Sequence, residues 1–276
     1  MKSLAGAVLM TGAAVAALTG CGANVTSTTY HSDNTYDVPG QIAKLKVKLD
    51  SDNVQIIGGD TAKISVYERL SYTKNRKPTP RHATDGGTLT LGYHCPDGLT
   101  IGFNRCSVAY TIQVPRGTSV EVANDSGKTT LSGIGGEVNA SVSSGDIIGT
   151  DLRGSQVTLD ADSGQIRLKG VAGSVRAKAS SGDIEGEDLR GTVRATADSG
   201  NVNLRFTAVP SDVQVTASSG NILLRLPAGQ SYAVNASADS GDKHIDVPTD
   251  PASQHKIRAI ADSGNVIISP AGQPTP

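Results

Sequence analysis

Eight Ser-Gly pairs follow one another along the chain: Ser126-Gly127, Ser144-Gly145, Ser163-Gly164, Ser181-Gly182, Ser199-Gly200, Ser219-Gly220, Ser240-Gly241 and Ser263-Gly264. Their spacings are 18, 19, 18, 18, 20, 21 and 23 residues. A period of that size marks a stacked array, in which no single unit can bury its own apolar face. Seven residues before each glycine stand Val120, Val138, Val157, Val175, Val193, Val213, Val234 and Ile257, all β-branched. Five before it the residue is Val, Ala or Leu, and three before it Ala predominates, from Ala161 to Ala261, with Asn124 and Val142 in the first two copies. Inward residues two apart define a strand with one buried face. After the glycine, Ile147, Ile166, Ile184, Val202, Ile222 and Val266 lie two on, and Leu131, Leu168, Leu204, Leu224, Ile245 and Ile268 lie four on. Each repeat therefore reads as strand, Ser-Gly turn, strand. Ile134, Leu152, Val171 and Leu189, seven after the glycine, suggest a short third side.

Stacking such units pairs equivalent strands in parallel, and parallel crossovers are overwhelmingly right-handed. The expected fold is all-β: a right-handed single-stranded β-helix, or β-solenoid, with coils of about 18–23 residues and an N-terminal capping β insertion. Composition fits. The 276 residues include 32 Gly, only 3% aromatic residues and no Trp, so the core must be built from Val, Ile, Leu and Ala. Walls that meet over columns of alanine must approach closely.

The register extends upstream. Leu45, Val47 and Leu49, then Asp50-Ser51-Asp52-Asn53, then Val54 and Ile56 reproduce one coil, with Asp52 in the glycine slot. Residues 60–114 break the period with longer alternating runs, ISVYERLSYT, TLTLGYHC and SVAYTIQV, and a basic loop KNRKPTPRH. These read as a cap that covers the strand edges at the end of the array. The expected divisions are a leader over 1–20, a flexible tether over 21–40, a degenerate first coil and cap over 41–114, repeats over 115–270 and a tail over 271–276.

The leader itself, MKSLAGAVLMTGAAVAALTGC, has one positive residue and an uncharged run from Ser3 to Gly20. Leu18-Thr19-Gly20-Cys21 resembles the lipobox of bacterial lipoprotein signal peptides. The resemblance implies cleavage before Cys21 and a diacylglycerol on its sulfur, hence membrane attachment through the lipid on the extracytoplasmic side. Cys95 and Cys106 then remain as an even pair, which in an oxidising compartment is most simply a disulfide stapling a loop or hairpin.

At the turns, acid before and acid after the Ser-Gly pair tend to exclude each other, which spaces charge along the stack. Asp239, Asp242 and Asp262 form the densest acidic group and are weak candidates for a divalent-cation site. Arg167, Lys169, Arg176, Lys178, Arg190 and Arg194 occupy outward positions and are candidates for an anion-binding surface. No nucleophile elbow, P-loop, HExxH or dinucleotide fingerprint appears, and the five histidines lack ligand spacing. Asp160, Asp162 and Arg167 are the one set that could pose as a polysaccharide-cleaving site, although similar residues recur in neighbouring coils. The net charge of −1 argues against nucleic acid as a partner. The expectation is a non-enzyme that needs no cofactor.

The lipobox, Val114-Pro115-Arg116-Gly117, Leu226-Pro227-Ala228-Gly229 and the succession of DSG-N/D-V/I turns resemble a bacterial putative-adhesin, β-strand-repeat family of unknown function, over about residues 40–270. The resemblance implies a surface-exposed, non-catalytic β-solenoid that contacts cell-wall glycan or a surface protein. Other roles the pattern allows are an accessory or sensor in envelope stress, a polysaccharide-active enzyme, and a cation-binding module.

Overall fold

The computed structural model describes residues 28–97 and 104–272. Within them the chain is a β-solenoid with two long walls. One wall is built from the strands before the Ser-Gly turns: β8 (Ser119–Ser126), β10 (Val138–Ser144), β12 (Gln156–Ser163), β14 (Ser174–Ser181), β16 (Val193–Ser199), β18 (Asp212–Ser219), β20 (Ala233–Ser240) and β22 (Lys256–Ser263). The other holds the strands after them: β9 (Thr129–Ser132), β11 (Ile147–Thr150), β13 (Ile166–Lys169), β15 (Ile184–Leu189), β17 (Val202–Phe206), β19 (Ile222–Leu226), β21 (Lys243–Ile245) and β23 (Val266–Pro270). All these strands pair in parallel, and equivalent serines of successive coils lie opposite one another, Ser126 to Ser144 to Ser163 to Ser181.

The inward columns fall where the repeat predicts. Val157, Leu159, Ala161, Ile166 and Leu168 are buried in one coil, and Val193, Ala195, Ala197, Val202 and Leu204 in another. Ile134, Leu152, Val171 and Leu189 close the third side, all buried. The column that holds Leu131, Leu168 and Leu204 carries glycine in the coils between, at Gly149 and Gly186. A Cβ on Gly149 would stand 2.8 Å from Leu152 Cδ1 and 2.8 Å from Leu168 Cδ2, so the glycines make room for neighbouring leucines.

The last two coils are transposed. The spatial order of the first wall ends β18, β22, β20, and that of the second ends β19, β23, β21. The C-terminal coil thus inserts between its two predecessors, and Thr216 faces Ile260 while Ser237 lies beyond it. The reason is in the inward column, where Gly241 is followed two residues on by Lys243 instead of an aliphatic residue. A coil with lysine at a core position belongs at the end of a stack, where its ammonium reaches solvent; Lys243 Nζ lies 3.3 Å from the Ala236 carbonyl. The coil bearing Val266 and Ile268 is apolar on its inner face and can be covered on both sides.

At the other end, β2 (Lys44–Leu49) and β3 (Val54–Gly59) form the first coil, pairing with β8 and β9. Asp52 takes the corner with φ of 90°, as the register implies. The cap consists of β4 (Ile64–Thr73), β5 (Thr79–Asp85), β6 (Thr88–His94) and β7 (Cys106–Pro115). Two expectations change. Much of the segment read as a tether is strand: β1 (Thr29–Val38) runs antiparallel to β4, its alternating Tyr, Thr and Val residues laid along the edge that β4 would otherwise expose. The basic loop is shorter than expected, because Thr79–Asp85 pairs with β6. Cys95 and Cys106 are bonded, with Cα atoms 6.0 Å apart, and join the end of β6 in one wall to the start of β7 in the other. Cys21 lies outside the described residues.

Alanine at the inner columns fixes the wall separation, so a ring there cannot be housed without displacing backbone. Ala195→Phe is expected to lower stability by about 1–3 kcal/mol or more, read as a fall in the thermal midpoint; an unchanged transition would refute the inward placement of this column.

Candidate functional surface

The corners carry a hydrogen-bond ladder that the sequence pattern alone did not disclose. At six corners the side chain following the corner residue accepts from the backbone N–H of the next coil; Lys128 and Gln165 interrupt the series. Asn53 Oδ1 accepts from Lys128 N at 2.8 Å, and Asp146 Oδ1 from Gln165 N at 3.1 Å. From there the chain of bonds is continuous at one end: Asp183 to Asn201 at 2.7 Å, Asn201 to Asn221 at 2.9 Å, Asn221 to Asn265 at 2.9 Å, and Asn265 to Asp242 at 2.8 Å. The amide groups of Asn201 and Asn221 also donate to the acceptor below, at 3.2 Å each. The recurrence of Asn and Asp after Ser-Gly was a visible signal of this ladder. Its meaning required knowing that the coils stack in register.

The three acidic candidates occupy different positions relative to this ladder. Asp242 belongs to it, donating its own N–H to Asn265, whereas Asp239 and Asp262 lie before the turn on β20 and β22. Among the described residues, no three His, Cys, Asp or Glu side chains converge as a metal site. Carboxylates before the turn alternate with serines on successive strands, Asp125, Ser143, Asp162, Ser180, Asp198 and Ser218, so the charge spacing holds in space until Asp262 and Asp239. The posed cleavage set does not assemble either. Asp160 and Asp162 sit on β12 in one wall and Arg167 on β13 in the other.

The six basic candidates separate onto three faces. Arg167 and Lys169 lie on the outer face of the second wall, beside a shallow groove of about 300 Å³. The arginines of that face have partners: Arg167 pairs with Asp146 at 3.4 Å and with Glu185 at 3.5 Å, Arg205 with Asp188 at 2.8 Å, and Arg225 Nη1 donates to Asn203 Oδ1 at 2.9 Å. Arg190 is on the third side, near Arg153 and Asp151.

Arg176, Lys178 and Arg194 lie together on the outer face of the first wall. Arg176 and Arg194 are register neighbours, followed by Gln214 and then Arg258 on successive strands. Arg258, which sequence reading left out, stands six residues before its corner glycine as Arg176, Arg194 and Gln214 do, and the transposition brings it beside Gln214. None of these four cations has an ion pair or side-chain hydrogen bond among the described residues. A groove of about 250 Å³ beside the Arg176–Arg194 pair is lined by Gln156, Ser174, Thr192 and Asp212, with Thr192 Oγ1 donating to Ser174 Oγ at 2.9 Å. Nearer the cap on the same wall, Glu121 binds Lys44 and Lys46, each at 2.6 Å. Those two hydrogen bonds hold its carboxyl down at about 2, so the basic residues of that end are satisfied internally.

A family model described as Toastrack DUF4097 matches residues 42–269. The chain belongs to the Toastrack family. Solved structures similar to this chain include a putative adhesin from Bacteroides fragilis NCTC 9343, 13% identical, with a TM-score of 0.52 over 87% of this chain and 97% of that one. Another putative adhesin, from Parabacteroides distasonis ATCC 8503, is 11% identical, with a TM-score of 0.47 over 86% of this chain and 97% of that one. At these identities the likeness to the first is one of fold. No curated relative matches this sequence.

The ladder carries its own test. Asn221→Leu leaves the Asn265 N–H without its acceptor and removes the side-chain amide that donates to Asn201, while the backbone N–H of residue 221 still donates to Asn201, at a cost of about 0.5–1.5 kcal/mol. The expected readouts are a lower thermal midpoint and faster exchange of the Asn265 amide, while the amide of Lys128, at the far end, keeps its protection.

Proposed function

We propose that this Toastrack protein is a lipid-anchored, extracytoplasmic, non-catalytic solenoid that holds an anionic polymer of the cell envelope against its alanine wall. The observation that carries this reading is the row Arg176, Arg194, Gln214, Arg258, with Lys178 beside it, in which none of the cations is paired. Lys44, Lys46, Arg167, Arg205 and Arg225 elsewhere on the walls have carboxylate or amide partners, whereas these four cations form a cluster with none. Successive strands lie about 4.8 Å apart, so a linear polyanion laid across them meets positive charge repeatedly. The serine and threonine hydroxyls of the adjoining groove are suited to bonding the polymer's own hydroxyls. Two carboxylates border the row, Asp160 as the register partner of Lys178 and Asp212 in the adjoining groove, so the four cations leave a net positive charge there, and the acidic row at the turns is four residues further along the strands, roughly 13 Å away. Anchoring rests on the lipobox at Leu18–Cys21, and the adhesin label of the structural neighbours agrees in kind with a surface-binding role.

Binding of polygalacturonate by the protein, followed by calorimetry at increasing salt, tests the surface. Exchange of both Arg176 and Arg194 for Gln is expected to weaken binding about tenfold or more and to reduce the slope of log affinity against log salt by roughly 1–2. Affinity indifferent to the double substitution and to salt would sink the proposal. Cys21→Ser is expected to move the protein from the membrane fraction to the soluble extracytoplasmic fraction; retention with the membrane would contradict lipid anchoring.

A further inference from the structure

The two walls open toward each other at the N-terminal end, where β1 is the edge of one sheet and β5 the edge of the other. The rings of Tyr36 on β1 and His82 on β5 meet at 5.3 Å. Beside this contact is a cleft of about 440 Å³, formed by Ser32 and Asn34 of β1, Glu68 and Leu70 of β4, and the Lys77–Pro80 stretch that leads into β5.

Glu68 is the unusual member. Its side chain points into the molecule, and the residue is only 2% exposed. Tyr36 donates its hydroxyl to Glu68 Oε1 at 2.7 Å, and Oε2 has no partner among the described residues. No lysine, arginine or histidine forms an ion pair with it. The one cation lining the cleft, Lys77, has its ammonium over the Tyr72 ring, 5.7 Å from the centroid. A buried carboxylate ordinarily has a counter-ion and fills its remaining lone pairs. Here Tyr36 positions one oxygen, the other has no partner among the described residues, and Glu68 lines the cleft.

We propose that this cleft binds an amino sugar, with the sugar's primary ammonium group seated on Glu68. A single carboxylate matches one monovalent organic cation; a divalent ion would need further ligands, and no such group exists among the described residues. The remaining lining suits a sugar. Ser32, Asn34 and Thr79 offer hydroxyl and amide groups, and Leu70, Pro78 and Pro80 offer apolar surface to ring C–H groups. The volume is within the range of small-molecule sites. An extended peptide is disfavoured, because Pro78 and Pro80 remove backbone N–H donors from the edge along which a peptide strand would pair. The site is at the opposite end of the molecule from Arg258 and does not depend on the arginine row.

The full-length protein is titrated calorimetrically with the glucosamine disaccharide and, separately, with its N,N′-diacetyl form, which keeps the sugar rings and removes the positive charge. The expected result is saturable binding of the free amine, with the acetylated sugar weaker by about tenfold or more. Glu68→Gln keeps an oxygen for Tyr36 and removes the charge; Asn34→Trp fills the mouth from an exposed strand position. Each is expected to weaken binding of the amine about tenfold or more without lowering the thermal midpoint. The variant lacking Arg176 and Arg194 should bind the disaccharide like the unmodified protein, which separates this site from the polymer surface. Equal affinity for the two sugars, undiminished binding in Glu68→Gln and Asn34→Trp, or absence of binding would overturn the proposal. Trilysine bound more tightly than the sugar, in a Glu68-dependent manner, would overturn the assignment to an amino sugar.

Discussion

Each corner glycine sits directly over the carbonyl of the corner glycine in the adjacent coil. A Cβ at Gly164 would collide with the Gly145 carbonyl oxygen, and one at Gly182 with that of Gly164. A second glycine column on the third side, Gly136, Gly154, Gly173 and Gly191, stacks in the same way. Two columns of close backbone approach leave little freedom for one coil to slide past another. Register is thereby fixed at the corners, and the rest of the structure inherits it. The alanine columns face one another, the Asx side chains reach the next backbone N–H, and outward residues fall into rows.

This dependence explains what the sequence disclosed. Period, strand positions, the inward Val–Ala alternation and the surrogate corner at Asp52 were all legible, because each is a local consequence of one repeated unit. The cap was legible as a break in that pattern, and the Cys95–Cys106 bridge as an even pair. Features that arise between units were not. The segment Thr29–Val38 has few apolar residues, and its strand character comes from β4, whose edge it covers. The Asn ladder looks in sequence like ordinary turn preference. The transposed coils were foreshadowed only by Lys243, a single charge in an otherwise aliphatic column.

The arginine surface illustrates the same division. Arg176 and Arg194 could be seen to share a face from their spacing, whereas Arg258 lies next to Gln214 only because the C-terminal coil inserts beside β18. Equally, sequence gave no way to tell that Arg167 is neutralised by Asp146 and Glu185 while Arg176 is unpaired. One basic residue per coil thus has two physical meanings. On the second wall Arg167 and Arg205 tie neighbouring coils together through ion pairs, and on the first Arg176, Arg194 and Arg258 form none among the described residues. Aromatic residues are partitioned as well: six of the seven tyrosines lie between Tyr30 and Tyr110, in the cap, where the walls are no longer held apart by alanine alone. Tyr110 is buried there with its hydroxyl donating to the Gly92 carbonyl at 2.9 Å, and Tyr93 reaches Ser51. The thin array and the wider cap are two solutions to the same packing requirement.

The stacking order of the coils decides which residues adjoin in the arginine row, and cysteine cross-linking across the outer wall tests it most directly. Thr216 and Ile260 are register partners on adjacent parallel strands, and Ser237 is one strand further out. Adjacent strands place Cα atoms about 5 Å apart, within disulfide reach, and two strands' separation exceeds it. Under mild oxidation, the Thr216→Cys/Ile260→Cys variant is predicted to form its bond readily, identified by peptide mass, and Thr216→Cys/Ser237→Cys is predicted to remain reduced. Efficient bonding in the second variant and none in the first would mean that the coils stack in simple sequence order, with Asn235 between Gln214 and Arg258 in the row.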